Sequence, residues 1–157
     1  MSGTLLPSND MVAVAWLKTN VTYLDNQVAT SLPKEYAGWA GKGFVVVNAF
    51  GGNTDNMLGV RKPVLSLTYY AKAAESGKPP WSKANQLAEQ VRALVIPTGV
   101  PLATTRGGYR LNALGTNYKD ALVQNIFWRS EPRRRPGDNA DFAVYTNDVE
   151  IHWVVVP

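Results

Sequence analysis

Two neighbouring stretches decide how this chain folds: PVLSLTYY, Pro63–Tyr70, and WSKANQLAEQVRALV, Trp81–Val95. In the first, Leu65, Leu67 and Tyr69 fall on one face, and Ser66 and Thr68 on the other. That period of two is a strand with one buried and one wetter side. In the second, Trp81, Ala84, Leu87, Ala88, Val91, Leu94 and Val95 recur at three- and four-residue spacing. That period is an amphipathic helix. Gly77-Lys78-Pro79-Pro80 predicts the turn between them, and Pro80 suits a first helical turn, where no donor is needed. Pro97, Gly99 and Pro101 end the helix.

Working outward, residues 10–19 predict a first helix, with Asn9 or Asp10 as its cap and Val12, Ala15, Trp16 and Thr19 on one face. Gln27 to Leu32 reads as a short strand stopped by Pro33, and residues 34–42 as a glycine-rich loop. Phe44–Phe50 is apolar on both faces, which predicts a central, covered strand. Gly51-Gly52-Asn53 is expected to break it, with a polar loop running to Lys62 and Pro63 opening the next strand. Residues 102–119 carry no clear period, and Arg106-Gly107-Gly108-Tyr109 predicts a turn or projecting arm. Ala121–Trp128 is a further strand, and Glu131–Asn139 a loop. Phe142–Val156 is a long extended stretch with Val149, Ile151, Trp153 and Val155 on one face and a bulge expected at Asn147-Asp148. The order is helix, strands, helix, strands, without the sustained alternation of a doubly wound sheet. It predicts one α+β domain over residues 1–157: a mostly antiparallel sheet, two helices packed on one face, and projecting hairpins or loops.

The 157 residues suffice for one core, and 45% hydrophobic against 18% charged residues describes a globular chain rather than a disordered one. No cysteine is present, which removes disulfides, thiolate nucleophiles and cysteine-bound zinc, and fits a reducing compartment. No basic segment followed by an apolar run opens the chain, so a signal peptide is not expected. No apolar run approaches the roughly 18 to 20 residues of a membrane helix. The Asn20-Val21-Thr22 sequon is accordingly expected to be idle. A net charge of +4 allows an acidic partner, and equally serves solubility.

Little in the chain resembles an active site. His152 is the single histidine, so any Ser-His-Asp arrangement must use it. Between Ile151 and Trp153 in a strand, a packed or solvated role is the plainer reading. Metal binding needs several converging ligands. Asp138 and Asp141 are close in sequence, but in a turn where aspartate caps the backbone. Gly51-Gly52 is followed by Asn53-Thr54-Asp55, without the lysine and hydroxyl of a phosphate loop, and Gly107-Gly108 fails likewise. No catalytic, cofactor-binding or metal residue is assigned. Arg133-Arg134-Arg135 is the one dense charge feature, either a contact for phosphates or an acidic protein rim, or a solvated hairpin tip. Of the five tryptophans, Trp16, Trp81 and Trp153 are expected in the core, and Trp39, in its glycine-rich loop, at the surface.

In the order of these pieces the chain resembles a tail terminator protein of long-tailed bacteriophages. The resemblance is carried by Ala13-Val14-Ala15-Trp16-Leu17 in the opening helix and the short strand before Leu32-Pro33. It continues through Phe44-Val45-Val46-Val47 with Gly51-Gly52, Pro63-Val64-Leu65-Ser66-Leu67, and Trp81-Ser82-Lys83-Ala84 leading into Leu87-Ala88. It closes on the Pro132-Arg133-Arg134 turn with Asp138 and a strand through Tyr145 and Asp148 to Val154. It covers most of the chain and weakens between residues 97 and 120. It implies a homo-oligomeric, hexameric ring in the virion, at the junction of tail and neck. The ring would bind the tail tube protein, stop tube growth and meet a neck stopper or connector protein. DNA would pass through its lumen without sequence-specific binding. No catalysis, cofactor or membrane is implied. The surfaces expected to meet partners are Arg133, Arg134, Arg135, Gly51, Gly52, Asn53, Arg106 and Tyr109. The alternatives are a head–tail stopper or connector subunit, a basic nucleic-acid-binding module, and, last, a small hydrolase using His152.

Overall fold

Pro63–Tyr70 and Trp81–Val95 form the strand and the helix that their spacing predicts. The computed structural model describes residues 3–21, 27–35, 38, 39, 41–72, 80–96, 109–111, 114–135 and 142–157, with Tyr109 as backbone only. The elements are α1 (Asn9–Asn20), β1 (Val28–Ala29), β2 (Phe44–Thr54), β3 (Arg61–Lys72), α2 (Trp81–Val95), β4 (Tyr109–Leu111), β5 (Ala121–Trp128), β6 (Arg133–Arg134) and β7 (Phe142–Val155). The fold is α+β. The strands make one sheet in the order β1-β2-β3-β7-β5-β4, with β6 also on β7. β1 runs parallel to β2 and the other strand pairs are antiparallel, so the sheet is mixed.

The register explains the core. Leu65 lies opposite Val149, Leu67 opposite Asn147 and Tyr69 opposite Tyr145. Alternation then sends Leu65, Leu67, Tyr69, Val149, Ile151 and Trp153 to one side, where all are buried. Helix α2 adds Leu87, Ala88, Val91 and Val95 to that cluster, and α1 adds Val12, Ala13, Trp16 and Leu17. Burying Leu87, Val91 and Val95 alone contributes roughly 5–9 kcal/mol. The net stability of a domain is about 5–15 kcal/mol. Docking of α2 is therefore required for the fold.

Several expectations are corrected. Helix α1 is capped by Ser8, whose side chain accepts from the Met11 amide, rather than by Asn9 or Asp10. Those two are engaged across the fold: Asn9 Oδ1 accepts from Trp153 Nε1 at 3.0 Å, and Asp10 Oδ1 from the Ala49 amide at 3.1 Å. The buried stripe of α1 is Val12, Ala13, Trp16 and Leu17. Thr19 is exposed and its hydroxyl donates to the Ala15 carbonyl. Within Gln27 to Leu32 only Val28 and Ala29 pair. Strand β2 is not broken at Gly51-Gly52-Asn53, nor covered along its length. It runs on to Thr54 through a register shift between Ala49 and Gly51, and from Asn48 onward it is largely exposed. Gly52 permits this with φ +117°, where a Cβ would collide with the Lys62 carbonyl oxygen.

The loop expected up to Lys62 is a tight turn. The Asp55 carboxylate accepts from the Met57 and Leu58 amides, and Arg61 already pairs with Thr54. Those hydrogen bonds, from Leu58 and then Met57, lower the Asp55 pKa. Asn147-Asp148 is no bulge, because the β3–β7 register passes through it without a shift. The irregularity lies between Val123 and Asn125 of β5. Trp39 is not at the surface. It is 3% exposed, with ring contacts to Phe44 at 5.6 Å and Phe142 at 6.2 Å. Its carbonyl takes the Lys42 and Gly43 amides, a turn that folds the glycine-rich loop inward. The turn predicted at residues 77–79, Arg106-Gly107-Gly108, Asp138, Asp141 and Thr22 of the sequon lie outside the described residues.

Candidate functional site

The arginine run occupies a strand, where a loop was expected. After β5 ends at Trp128 the chain steps off the ladder. The Arg129 amide donates to the Asp148 carbonyl, and the Asp148 amide to Ser130 Oγ at 2.9 Å. The chain then returns to β7, with Arg133 opposite Thr146, Arg134 opposite Tyr145, and the Arg135 amide on the Val144 carbonyl. Alternation separates the three side chains. Arg134 goes to the Tyr145 side, where its guanidinium lies 4.2 Å from the centre of the Trp81 ring. Trp81 in turn meets Tyr145 edge-on at 6.1 Å. Such a stack holds an arginine by about 0.5–1 kcal/mol at an exposed site.

Arg133 goes to the Thr146 side, and Arg135 follows it by alternation. Behind them Ser66 Oγ and Thr146 Oγ1 are 3.3 Å apart. Ser66, Thr146 and the three arginines line an open depression of about 330 Å³. All three arginines are exposed, and none forms an ion pair among the described residues. Other arginines do: Arg110 with Asp120 at 2.7 Å, Arg129 with Glu150 at 3.5 Å, and Arg92 with Glu131 at 3.9 Å. Arg133 and Arg135 thus combine positive charge, hydroxyl neighbours and open space.

The second group of expected contact residues lies elsewhere. Gly51, Gly52 and Asn53 are exposed on the outer half of β2. Around them the β2–β3 hairpin exposes Phe50 (56%), Met57 (91%) and Leu58 (73%). Strand β1 covers only Val45 and Val46, so the rest of the β2 edge has no neighbouring strand among the described residues. Strand β7 lies between this hairpin and β6. The two groups therefore do not converge: the arginines lie beside β7, and the exposed Phe50, Met57 and Leu58 lie on the hairpin. Tyr109 is in β4, opposite Val123, at the far edge of the sheet, and its side chain is outside the described residues, as is Arg106.

His152 Nε2 is 2.8 Å from Glu150 Oε2, and its ring lies 4.8 Å from that of Phe127. Glu150 also takes Arg129. A nucleophilic triad needs a hydroxyl within hydrogen-bond reach of the imidazole. Among its described hydrogen bonds His152 has only the carboxylate. Among the described residues no three His, Asp or Glu side chains gather as metal ligands would, and no helix is long and apolar enough to cross a membrane.

Sequence reasoning found the arginines but missed Ser66, Thr146 and Trp81 as their neighbours. Ser66 was legible as a wet-face residue. What places it beside Arg133 is the β3–β7–β6 register, which no local pattern carries. Comparison of the chain with models of known protein families and with curated proteins returns no match.

Proposed function

We propose that this chain is a structural, non-enzymatic subunit of a phage tail, a tail terminator that closes into a hexameric ring on the end of the tail tube. The observation that carries the reading is a pair of unlike surfaces on one sheet: a basic strand at β6 and a β2–β3 hairpin that exposes Phe50, Met57 and Leu58. A terminator needs this asymmetry. Each tube ring presents the same surface as the one before, so growth continues until a subunit binds through one face and offers a different one. The sequence resemblance supports the same role. In this reading α1 and α2 sit together on one face of a mostly antiparallel sheet. The opposite face, the open β2 edge and the projecting hairpin are then free for neighbours. The ring meets the tube protein on one side and a neck stopper or connector on the other, at the tail–neck junction of the virion, with DNA passing through the lumen.

Native mass spectrometry should show a hexamer, or a monomer that becomes a hexamer on tube ends. A stable dimer in both settings would count against the ring. A phage lacking the protein should build overlong tubes beside unjoined, DNA-filled heads. Tails of normal length that fail to attach would instead indicate a stopper or connector subunit. Absence of tubes would place the protein in initiation or in the tube itself.

A further inference from the structure

We infer that Arg133 and Arg135 hold two carboxylates of an extended acidic segment of a partner protein, borne on alternate residues. The two arginines are two residues apart on an extended backbone, a repeat of roughly 6.6 Å. An extended partner with acidic side chains at positions i and i+2 presents carboxylates at the same repeat on one side. Guanidinium matches carboxylate with paired donors, so spacing as well as charge is recognised. Ser66 and Thr146 are hydrogen-bonded to each other on the floor of the depression, which leaves one of their two hydroxyl protons for a ligand. Arg134 is turned to the opposite side and stacked on Trp81, which fixes β6 and so orients its two neighbours.

The surroundings favour a short acidic segment over a nucleic-acid backbone. Thr146, Asp148 and Glu150 alternate along β7 on one side of the sheet, since Thr146 opposes Thr68 and Asp148 opposes Ser66. The basic site is thus bounded two residues away by Asp148, and four away by Glu150, which already holds Arg129. A phosphate track would run into them, because nucleic-acid binding depends on neutralising many phosphates in succession. A segment that carries two charges ends before it meets them. The inference takes from the proposed assembly only the existence of a partner. Its failure would leave the tests of oligomer mass and tube length untouched.

The test uses the full chain and a fluorescein-labelled peptide of Gly, Ser and Thr bearing two glutamates at i and i+2, followed by anisotropy at low salt. A peptide of the same composition with the glutamates at i and i+3, and a single-stranded oligonucleotide, are the comparison probes. The alternate-spaced peptide should bind at least several-fold more tightly than the other peptide. Arg133→Gln and Arg135→Gln should each weaken it about tenfold, the order expected for one charge-assisted contact. Their thermal midpoints should stay near that of the parent, because exposed arginines contribute little to stability. Ser66→Ala should weaken binding less. Equal binding of the two peptides, binding that survives both arginine substitutions, or no binding of either peptide would overturn the inference. So would an oligonucleotide that binds more tightly than the peptide with a steep salt dependence.

Discussion

Replacing Tyr69 by phenylalanine removes a single oxygen from the middle of the sheet. Tyr69 and Asn147 are both fully buried, and the phenol donates to Asn147 Oδ1 at 2.6 Å. Phenylalanine fills the same ring volume, so no large cavity opens. What changes is that the amide oxygen, beside Leu67 on the apolar side of the sheet, loses its described donor. An unsatisfied buried acceptor costs about 1–3 kcal/mol. In urea, followed by tryptophan fluorescence, Tyr69→Phe should lower the midpoint by about 1 M with an unchanged slope. Removing both polar partners should recover part of the loss, so Tyr69→Phe with Asn147→Leu should be more stable than the single variant. A pH series adds an independent check. Burial, with the Glu89 charge as a smaller cause, raises the Tyr69 pKa well above its usual value. Because the folded pKa is raised, the stability is fully present below the unfolded pKa of about 10 and is lost as pH rises toward the folded value. Tyr69→Phe lacks that alkaline loss, so the gap between parent and variant should narrow above about pH 10. A gap under about 0.5 kcal/mol at neutral pH, below ordinary buried hydrogen-bond values, would mean that the Tyr69–Asn147 bond does not hold the sheet centre. A gap that stays constant between about pH 9 and 11 would refute the reasoning.

Two further substitutions probe the hairpin and the histidine. Gly52→Ala should destabilise by about 1–3 kcal/mol, because it forces an L side chain to φ +117° against the Lys62 carbonyl. Gly51→Ala, where a Cβ meets nothing within 4 Å, should be close to neutral, and equal urea midpoints for the two variants would refute the strain. His152→Gln should preserve fold and assembly and shift stability by less than about 1 kcal/mol, since glutamine still reaches Glu150 and Arg129 remains. Loss of an activity with the fold intact would contradict the non-enzymatic proposal.

The parts of the fold legible in the sequence are those whose pattern is local and repeated. β3, α2 and β5 announce themselves by period, and β7 by its length of alternation. The misreadings share one cause: a distant partner decided the outcome. Three residues in a row, Ser8, Asn9 and Asp10, suit a helix cap. Trp153 and Ala49 claim the latter two and leave Ser8 to cap. Gly51-Gly52 reads as a break, yet the antiparallel register with Pro63 and Val64 carries the strand through it. Trp39 looks exposed until Phe142, about a hundred residues later in the sequence, comes to lie on it. At the basic site the charge was visible in Arg133-Arg134-Arg135. The hydroxyl floor was not, because Ser66 and Thr146 are 80 residues apart.

The central position of β7 also has a consequence for synthesis on the ribosome. β7 pairs with β3 on one side and with β5 and β6 on the other, so the sheet cannot close until it is made. Tyr69 waits for a partner 78 residues downstream. At about 5–20 residues per second that delay is roughly 4–16 s. Throughout it the β3 edge of the β2–β3 hairpin lacks its β7 partner, a template for pairing with the same hairpin on a neighbouring nascent chain. The yield of folded protein should therefore depend on how closely polysomes crowd these chains and on chaperones that shield the hairpin during that interval.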